Sequence, residues 1–312
     1  MRLVFVAITL VGCGHPSVEL GPDAPSLDAA SAPDALAPDA GGDLALSLAF
    51  GGATRTYLLH APAGLAAAAR APLMLAFHGT GGSGMGMRNT TGFDAVADAN
   101  GFFVAYPDSV GPQWQETGAN NDLDFIAALV AALEAAYPID PAQVYVSGFS
   151  DGGGMSTAYA CAHADAIAGA ADVSENLNQA FAAQCRPARP VPYILFHGTA
   201  DPISPYDGGP NGTSGAITES AQDTAAFWAT NDGCTGTAAT STFPDTLSDG
   251  APATDTVETW PACGGGATVA FYTIDGGGHA WPGDLGGDMT YGPTSTAIDA
   301  SQVIWETLHS GG

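Results

Sequence analysis

The sequence predicts an α/β fold, a mostly parallel central sheet with helices on both faces, and three observations carry that prediction. Short apolar runs alternate with helix-period segments along most of the chain, the pattern of parallel βαβ units with right-handed crossovers. Two consecutive strand-like runs, LALSLAF (44–50) and TRTYLLHAP (54–62), read as an opening hairpin and make the sheet mixed. Four of the apolar runs end in polar, glycine-rich signatures, which is where open α/β sheets gather functional groups.

In chain order, strands are expected at PLMLAFHG (72–79), FFVAYP (102–107), QVYVSG (143–148), IAGAADV (167–173), PYILFHG (192–198) and TVAFYTI (268–274). Helices are expected at FDAVADANG (93–101), DLDFIAALVAALEAAY (122–137), MSTAYACAHA (155–164), SAQDTAAFWAT (220–230) and STAIDASQVIWETLHS (295–310). Between Cys234 and Gly266 the chain is rich in Thr, Pro and Gly without apolar periodicity, and reads as a long surface excursion. No boundary divides 43–312, so that span is expected to be one domain.

The N-terminus has a different character. MRLVFVAITLVG (1–12) is one basic residue and a short apolar run, too short to span a bilayer but suited to a signal h-region. It ends in LVGC, which resembles a bacterial lipobox, so Cys13 is the expected lipidation site and residues 1–12 a lipoprotein signal peptide. Residues 13–42 carry repeated Pro-Asp-Ala units and no apolar period, the composition of a solvated tether of about 30 Å. The chain is thus expected to be an exported bacterial envelope lipoprotein that meets a membrane only through its anchor, with its domain on the extracellular side.

With 32 acidic residues against 6 basic ones, all arginine, the net charge of −26 is repelled by phosphate backbones and argues against nucleic-acid binding. Setting Cys13 aside leaves Cys161, Cys185, Cys234 and Cys263. In an oxidising compartment four cysteines allow three pairings, and the sequence-local one, 161–185 with 234–263, is favoured. No CxxC pair, clustered Cys/His spacing or EF-hand loop is present, so no metal is expected.

The chemistry is concentrated at the four strand ends: FHGTGGSG (77–84), GFSDGGGM (148–155), FHGTADPISPY (196–206) and TIDGGGHAWPG (273–283). Ser150 sits between glycines at a strand-to-helix corner, a setting that exposes a nucleophile. A serine hydroxyl needs a base as it attacks, and His279 can take that proton and return it to the leaving group. Asp201, directly after a buried strand, can fix the histidine tautomer, with Asp207 and Asp172 as rivals. The order Ser, Asp, His is that of the α/β-hydrolase triad. The backbone N–H of Asp151 is one expected oxyanion donor, and Thr80, or its neighbour Gly79, the other. Trp281 and Trp114 are candidates to line the substrate cleft.

HGTGGSG, YVSGFSDGGGM, HGTADPISPY and GGGHAWPG together resemble the polyhydroxybutyrate depolymerase and feruloyl esterase group of α/β-hydrolases over roughly residues 54–309. The resemblance implies a secreted, cofactor-free serine carboxylesterase with Ser150, Asp201 and His279 on the triad and the same two disulfides. It departs at Asp151, where relatives usually carry Asn; a carboxylate there would oppose an oxyanion unless it points away. The expected substrate is an ester, in polymeric form, of the feruloyl or acetyl type found on plant polysaccharides; the alternative is a polyhydroxybutyrate-type polyester. A non-catalytic surface-binding protein on the same scaffold is disfavoured, because such proteins usually lose the serine or the histidine.

Overall fold

Strand β3 (Ala71–Phe77) shows why the chain folds as it does. Leu73, Leu75 and Phe77 face one hydrophobic cluster while Met74 and Ala76 face another, so the strand is buried on both sides. A computed structural model of the protein describes residues 41–65, 70–118, 121–284 and 289–310, all within one compact unit of residues 32–312. The expected signal peptide, Cys13 and the tether to residue 40 lie outside the described residues.

The remaining strands are β1 (Gly42–Phe50), β2 (Ala53–Ala61), β4 (Phe103–Pro107), β5 (Ile139–Phe149), β6 (Gly169–Val173), β7 (Tyr193–Gly198), β8 (Gly209–Pro210), β9 (Ile217–Thr218), β10 (Ala239–Thr246), β11 (Pro252–Trp260) and β12 (Val269–Ile274). Ten of them form one sheet in the order β1-β2-β4-β3-β5-β6-β7-β12-β11-β10, and β8 and β9 pair separately. The six strands from β4 to β12 run parallel, and an antiparallel hairpin closes each edge. The β1–β2 hairpin is the one expected from LALSLAF and TRTYLLHAP.

The hairpin β10–β11 corrects the expectation of an irregular excursion after Cys234. Its strands are Thr-rich and only partly buried, so they show no run of apolar residues to read. What fixes them is pairing: β11 joins β12 from Thr256↔Thr273 to Trp260↔Val269, and β10 then pairs with β11.

Helices α1 (Gly84–Thr91), α2 (Phe93–Asn100) and α7 (Ala300–Ser310) place Met87, Phe93, Val96, Ile304, Trp305 and Leu308 in the cluster on one face. Helices α3 (Asp122–Ala136), α4 (Asp151–Ala162) and α6 (Ala221–Asn231) place Phe125, Leu129, Met155, Tyr159 and Trp228 in the cluster on the other. The short α5 (Gln179–Ala182) lies outside both clusters. Among the described residues no helix is long and apolar enough to cross a membrane.

Both disulfides pair as the sequence order favoured. Cys161–Cys185 ties the end of α4 to the segment after α5, and Cys234–Cys263 ties the end of α6 to the chain leaving β11. Such bonds fit a chain that matures in an oxidising compartment.

One buried ion pair had no sequence signature. Arg55 on β2 donates to Asp122 Oδ1 at 2.5 Å and to the Asp108 carbonyl at 3.0 Å, with its guanidinium 3.7 Å from the centre of the Phe125 ring. Asp122 Oδ2 accepts the Gln115 N–H at 2.7 Å, so the pair also holds the loop between β4 and α3. With both side chains 2–3% exposed, removing one partner leaves an uncompensated buried charge. Asp122→Ala is therefore expected to lose about 3–5 kcal/mol in urea unfolding. The double variant Arg55→Met/Asp122→Leu, which strands no charge, should lose less; an equal or greater loss would show that the pair's electrostatics are not what matters.

Candidate active site

Ser150 occupies the turn between β5 and α4 with φ 56° and ψ −125°, a backbone conformation that side-chain-bearing residues rarely adopt. Its N–H donates to the Val173 carbonyl at 2.8 Å, and its own carbonyl accepts the Gly153 N–H at 2.7 Å, so the strain is held from both sides. The flanking glycines do something other than clear space around the serine, whose residue is only 7% exposed. A Cβ on Gly148 would collide with the Gly152 carbonyl, and one on Gly152 with the carbonyls of Phe77 and His78. The glycines let α4 start directly against the ends of β3 and β5.

Asp201 and His279 come from adjacent parallel strands, β7 and β12. The loops that follow these strands are laced together: the Ala200 N–H donates to the Gly277 carbonyl at 2.8 Å, and the Gly276 N–H to Thr199 Oγ1 at 2.7 Å. Asp201 Oδ1 accepts the backbone N–H groups of Ile203 (2.8 Å) and Ser204 (2.9 Å), which fixes the carboxylate plane. Its Oδ2 accepts the proton of His279 Nδ1 at 2.8 Å. That bond assigns the proton to Nδ1 and leaves Nε2 free to act as a base. The Phe149 ring lies 5.0 Å from the imidazole, centroid to centroid, so His279 packs against the residue immediately before Ser150. The structure thus brings Asp201 and His279 into contact and sets them beside the elbow that carries Ser150.

The two rival carboxylates separate clearly. Asp172 on β6 turns to Thr157 Oγ1 and the Tyr193 hydroxyl, each at 3.2 Å. Asp207 has no bond to His279 among the described residues, whose Nδ1 is already taken by Asp201. A second histidine that the sequence did not single out, His197, approaches Asp201 Oδ2 at 3.6 Å and donates from Nε2 to the Ser204 carbonyl at 2.8 Å. Complete burial holds its pKa below the ordinary histidine range, so it remains neutral beside the carboxylate.

On the other side of Ser150, the loop after β3 curls over the elbow. A Cβ on Gly79 would come within 3.2 Å of the Ser150 Cβ. The Gly81 and Gly82 amides are spent within this part of the structure, on the carbonyls of Pro112 (2.6 Å) and Gly79 (2.9 Å). Thr80 and Asp151 line the same cavity as Ser150. The Asp151 side chain is anchored elsewhere, because its Oδ2 accepts the Trp114 N–H at 2.8 Å.

Both tryptophans pack against other elements, and one of them also lines a cavity beside His279. Trp114 donates from Nε1 to the His78 carbonyl at 2.7 Å and packs on the rings of Phe77 and His78, so it braces the loop that holds Thr80. Trp281 is 1% exposed, donates to Ser301 Oγ at 3.2 Å and meets Phe93 edge-on. It touches a cavity of about 240 Å³ that His279, Phe149 and Tyr291 also line. The cavity of about 190 Å³ beside Ser150 is lined by neither tryptophan.

Comparison with known proteins identifies the chain. A profile of the alpha/beta hydrolase fold matches residues 72–175. The chain is 33% identical over 276 residues to NocK of Nocardia uniformis subsp. tsuyamanensis, a protein assigned as an esterase, covering 81% of this chain and 77% of that one. The chain belongs to the alpha/beta-hydrolase esterases. It is a carboxylic ester hydrolase. It is also 31% identical over 248 residues to feruloyl esterase B of Piromyces equi, covering 75% of this chain but only 44% of that protein. Among solved structures, an acetyl xylan esterase from Aspergillus awamori superposes with a TM-score of 0.61 at 16% identity, over 86% of this chain and 99% of that one, which shows the shared fold.

The esterase's interior near Ser150 is rich in carboxyl groups. Burial pushes the Asp172 pKa up to about 8, with the bonds from Tyr193 and Thr157 opposing the rise. In the folded state Asp172 therefore keeps its proton, while in the unfolded chain it releases it near pH 4. The folded state binds more protons between those values, so this group's contribution to stability is complete below about pH 4 and is lost as pH rises toward 8. Asp172→Asn should flatten that part of the profile. Denaturant unfolding at pH 5 and pH 8.5 checks it: the fall in stability between the two should be smaller in the variant, and an unchanged fall would place the effect on other groups.

Proposed function

We propose that this esterase is an exported, lipid-anchored serine carboxylesterase that cleaves feruloyl or acetyl esters of plant polysaccharides through a Ser150–His279–Asp201 triad. The observation that carries the reading is the 2.8 Å bond from His279 Nδ1 to an Asp201 carboxylate held by two backbone amides, set beside the strained Ser150 elbow. The substrate class rests on similarity to proteins named as feruloyl and acetylxylan esterases.

Ser150 Oγ attacks the ester carbonyl carbon as His279 Nε2 removes its proton. The carbonyl oxygen becomes an oxyanion beside the backbone N–H groups of Asp151 and Thr80, donors worth about 3–4 kcal/mol each in the transition state. The Asp151 carboxylate, bound to the Trp114 N–H, is directed to the loop after β4 rather than left free to oppose that charge. Protonated His279 gives its proton to the leaving sugar oxygen as the C–O bond breaks, which leaves an acyl-Ser150. Water then attacks the acyl carbon, His279 takes the water's proton, and the collapsing intermediate returns that proton to Ser150 Oγ and frees the acid. Asp201 holds the imidazole in the working tautomer throughout.

Upstream, cleavage after Gly12 would expose Cys13 for lipidation, and the segment that follows would hold the domain away from the bilayer. Cys13→Ser should move the protein from the membrane fraction to the soluble exported fraction. Retention in the membrane would refute the anchor without touching the catalytic reading.

The catalytic test uses feruloylated and acetylated xylan beside a polyhydroxybutyrate suspension. Ser150→Ala and His279→Ala are each expected to lower kcat on the order of 10⁴-fold or more. Serine-dependent release of ferulate or acetate supports the polysaccharide reading. Serine-dependent hydroxybutyrate without either would replace it with the polyester alternative, and turnover unaffected by Ser150→Ala would sink the triad.

A further inference from the structure

Hydrogen-bonding groups and apolar surface share the lining of the cavity beside Ser150 about equally. Gln113, Glu116, Asp172, Glu175, Asn176 and Asn211 supply its polar part, and Leu177, Phe181 and Ala216 are among its apolar neighbours. Two of these amides have different roles. Asn211 donates from Nδ2 to both Glu175 carboxyl oxygens, at 3.0 and 3.2 Å, while its Oδ1 accepts the N–H groups of Thr213 and Ser214. Asn211 is therefore fully engaged. Asn176 is not. Its Nδ2 donates to the Pro205 carbonyl at 2.7 Å, but its Oδ1, on a residue 3% exposed, has no hydrogen-bond partner among the described residues. A buried amide oxygen left without a donor costs about 1–3 kcal/mol. A ligand hydroxyl would remove that cost.

The cavity also continues. Glu116, Asn178 and Phe181 line both it and a trough of about 520 Å³ that runs past Leu123 and the Cys161–Cys185 disulfide to Arg186. Asn178 caps the short helix that carries Phe181, and the Cys185 N–H donates to the Phe181 carbonyl at 2.9 Å. The disulfide joins this same segment to α4, the helix that begins at the Ser150 elbow.

We propose that the cavity and trough together bind the carbohydrate part of the ester, with Asn176 Oδ1 accepting a sugar hydroxyl next to Ser150 and Phe181 supporting the next residues of the chain. This inference rests on the polysaccharide-ester reading above and assigns it a location. Acceptors in excess suit a ligand made of hydroxyl donors, and a half-buried aromatic ring suits the apolar face of a pyranose. The same lining disfavours the anionic end of a hydroxyalkanoate oligomer, because Glu116, Asp172 and Glu175 border the cavity and any that ionise repel it. Burial raises the pKa of Glu116 to about 7, of Asp172 to about 8 and of Glu175 well above the usual carboxylate range, so much of the lining is neutral in mildly acidic solution and can also donate hydrogen bonds.

The test measures kcat and KM of the full chain, Asn176→Leu and Phe181→Ala on acetylated xylo-oligosaccharides of increasing length and on p-nitrophenyl acetate, which has no sugar. For Asn176→Leu, KM for the acetylated oligosaccharides should rise several-fold more than KM for p-nitrophenyl acetate, on the order of five- to tenfold for one lost hydrogen bond. Phe181→Ala should remove the fall in KM that accompanies a longer oligosaccharide. Parallel changes for both esters, or no change for either, would overturn the assignment. Should Asn176→Leu not fold, competition on the wild-type chain decides. Xylotriose is expected to inhibit p-nitrophenyl acetate hydrolysis competitively and better than a hydroxybutyrate trimer; the reverse order, or no inhibition by xylotriose, overturns it. Because p-nitrophenyl acetate turnover is read beside Ser150→Ala in the same assay, failure of the triad is seen separately from failure of the carbohydrate site.

Discussion

The rest of the site depends on a steric constraint at the end of β5. Gly148 and Gly152 meet backbone to backbone, and Gly152 also abuts the Phe77 and His78 carbonyls, so α4 begins closer to the sheet than any side chain would permit. That closeness forces the chain through a tight reversal at Ser150 and puts it at a positive φ. An isolated residue would leave such a conformation at a cost of about 1–3 kcal/mol. Here it is over-determined by the bond from Ser150 N–H to Val173 and by the first turn of α4. The neighbouring strands then supply the other groups in register: β3 delivers the loop with Thr80, while β7 and β12, paired in parallel, deliver Asp201 and His279 at the same level of the sheet.

Much of this was legible because it is local. A buried strand followed by a polar, glycine-rich turn leaves a mark within about ten residues, and Ser150, Asp201 and His279 each carry that mark. The choice of Asp201 over Asp172 and Asp207 followed from its place directly after a strand, and the bond to His279 has the same origin. The glycines around Ser150 were conspicuous for a reason that the sequence alone could not give. They read as clearance around a side chain, whereas Gly148 is constrained by contact with Gly152, and Gly152 by contact with Phe77 and His78, more than 70 positions away in the chain.

What was not legible is made by distant pairing. Strands β10 and β11 are Thr-rich and half exposed, so their identity lies in the edge of β12 that they cover rather than in any period of their own. Arg55 and Asp122 are 67 residues apart, and neither position announces the other. Trp114 and Trp281 were conspicuous as large rings near functional loops. Trp114 braces the loop of Thr80, while Trp281 packs against Phe93 and reaches the cavity that His279 lines. Their nearness in sequence to the site was real, but the direction of a ring is set by packing partners from other elements.

The Cys161–Cys185 bond has a consequence for where the enzyme becomes complete. It anchors the segment of Asn178, Phe181 and Arg186 to the helix that starts at Ser150, yet it contributes no atom to Ser150, Asp201 or His279. Wherever thiols stay reduced, the segment keeps its hydrogen bonds, the Asn178↔Thr218 bridge and the Glu219 N–H to the Leu177 carbonyl among them, but loses its covalent tie to α4. Reducing the bond would therefore act first on one wall of the cavity, and only through α4 on the Ser150 elbow.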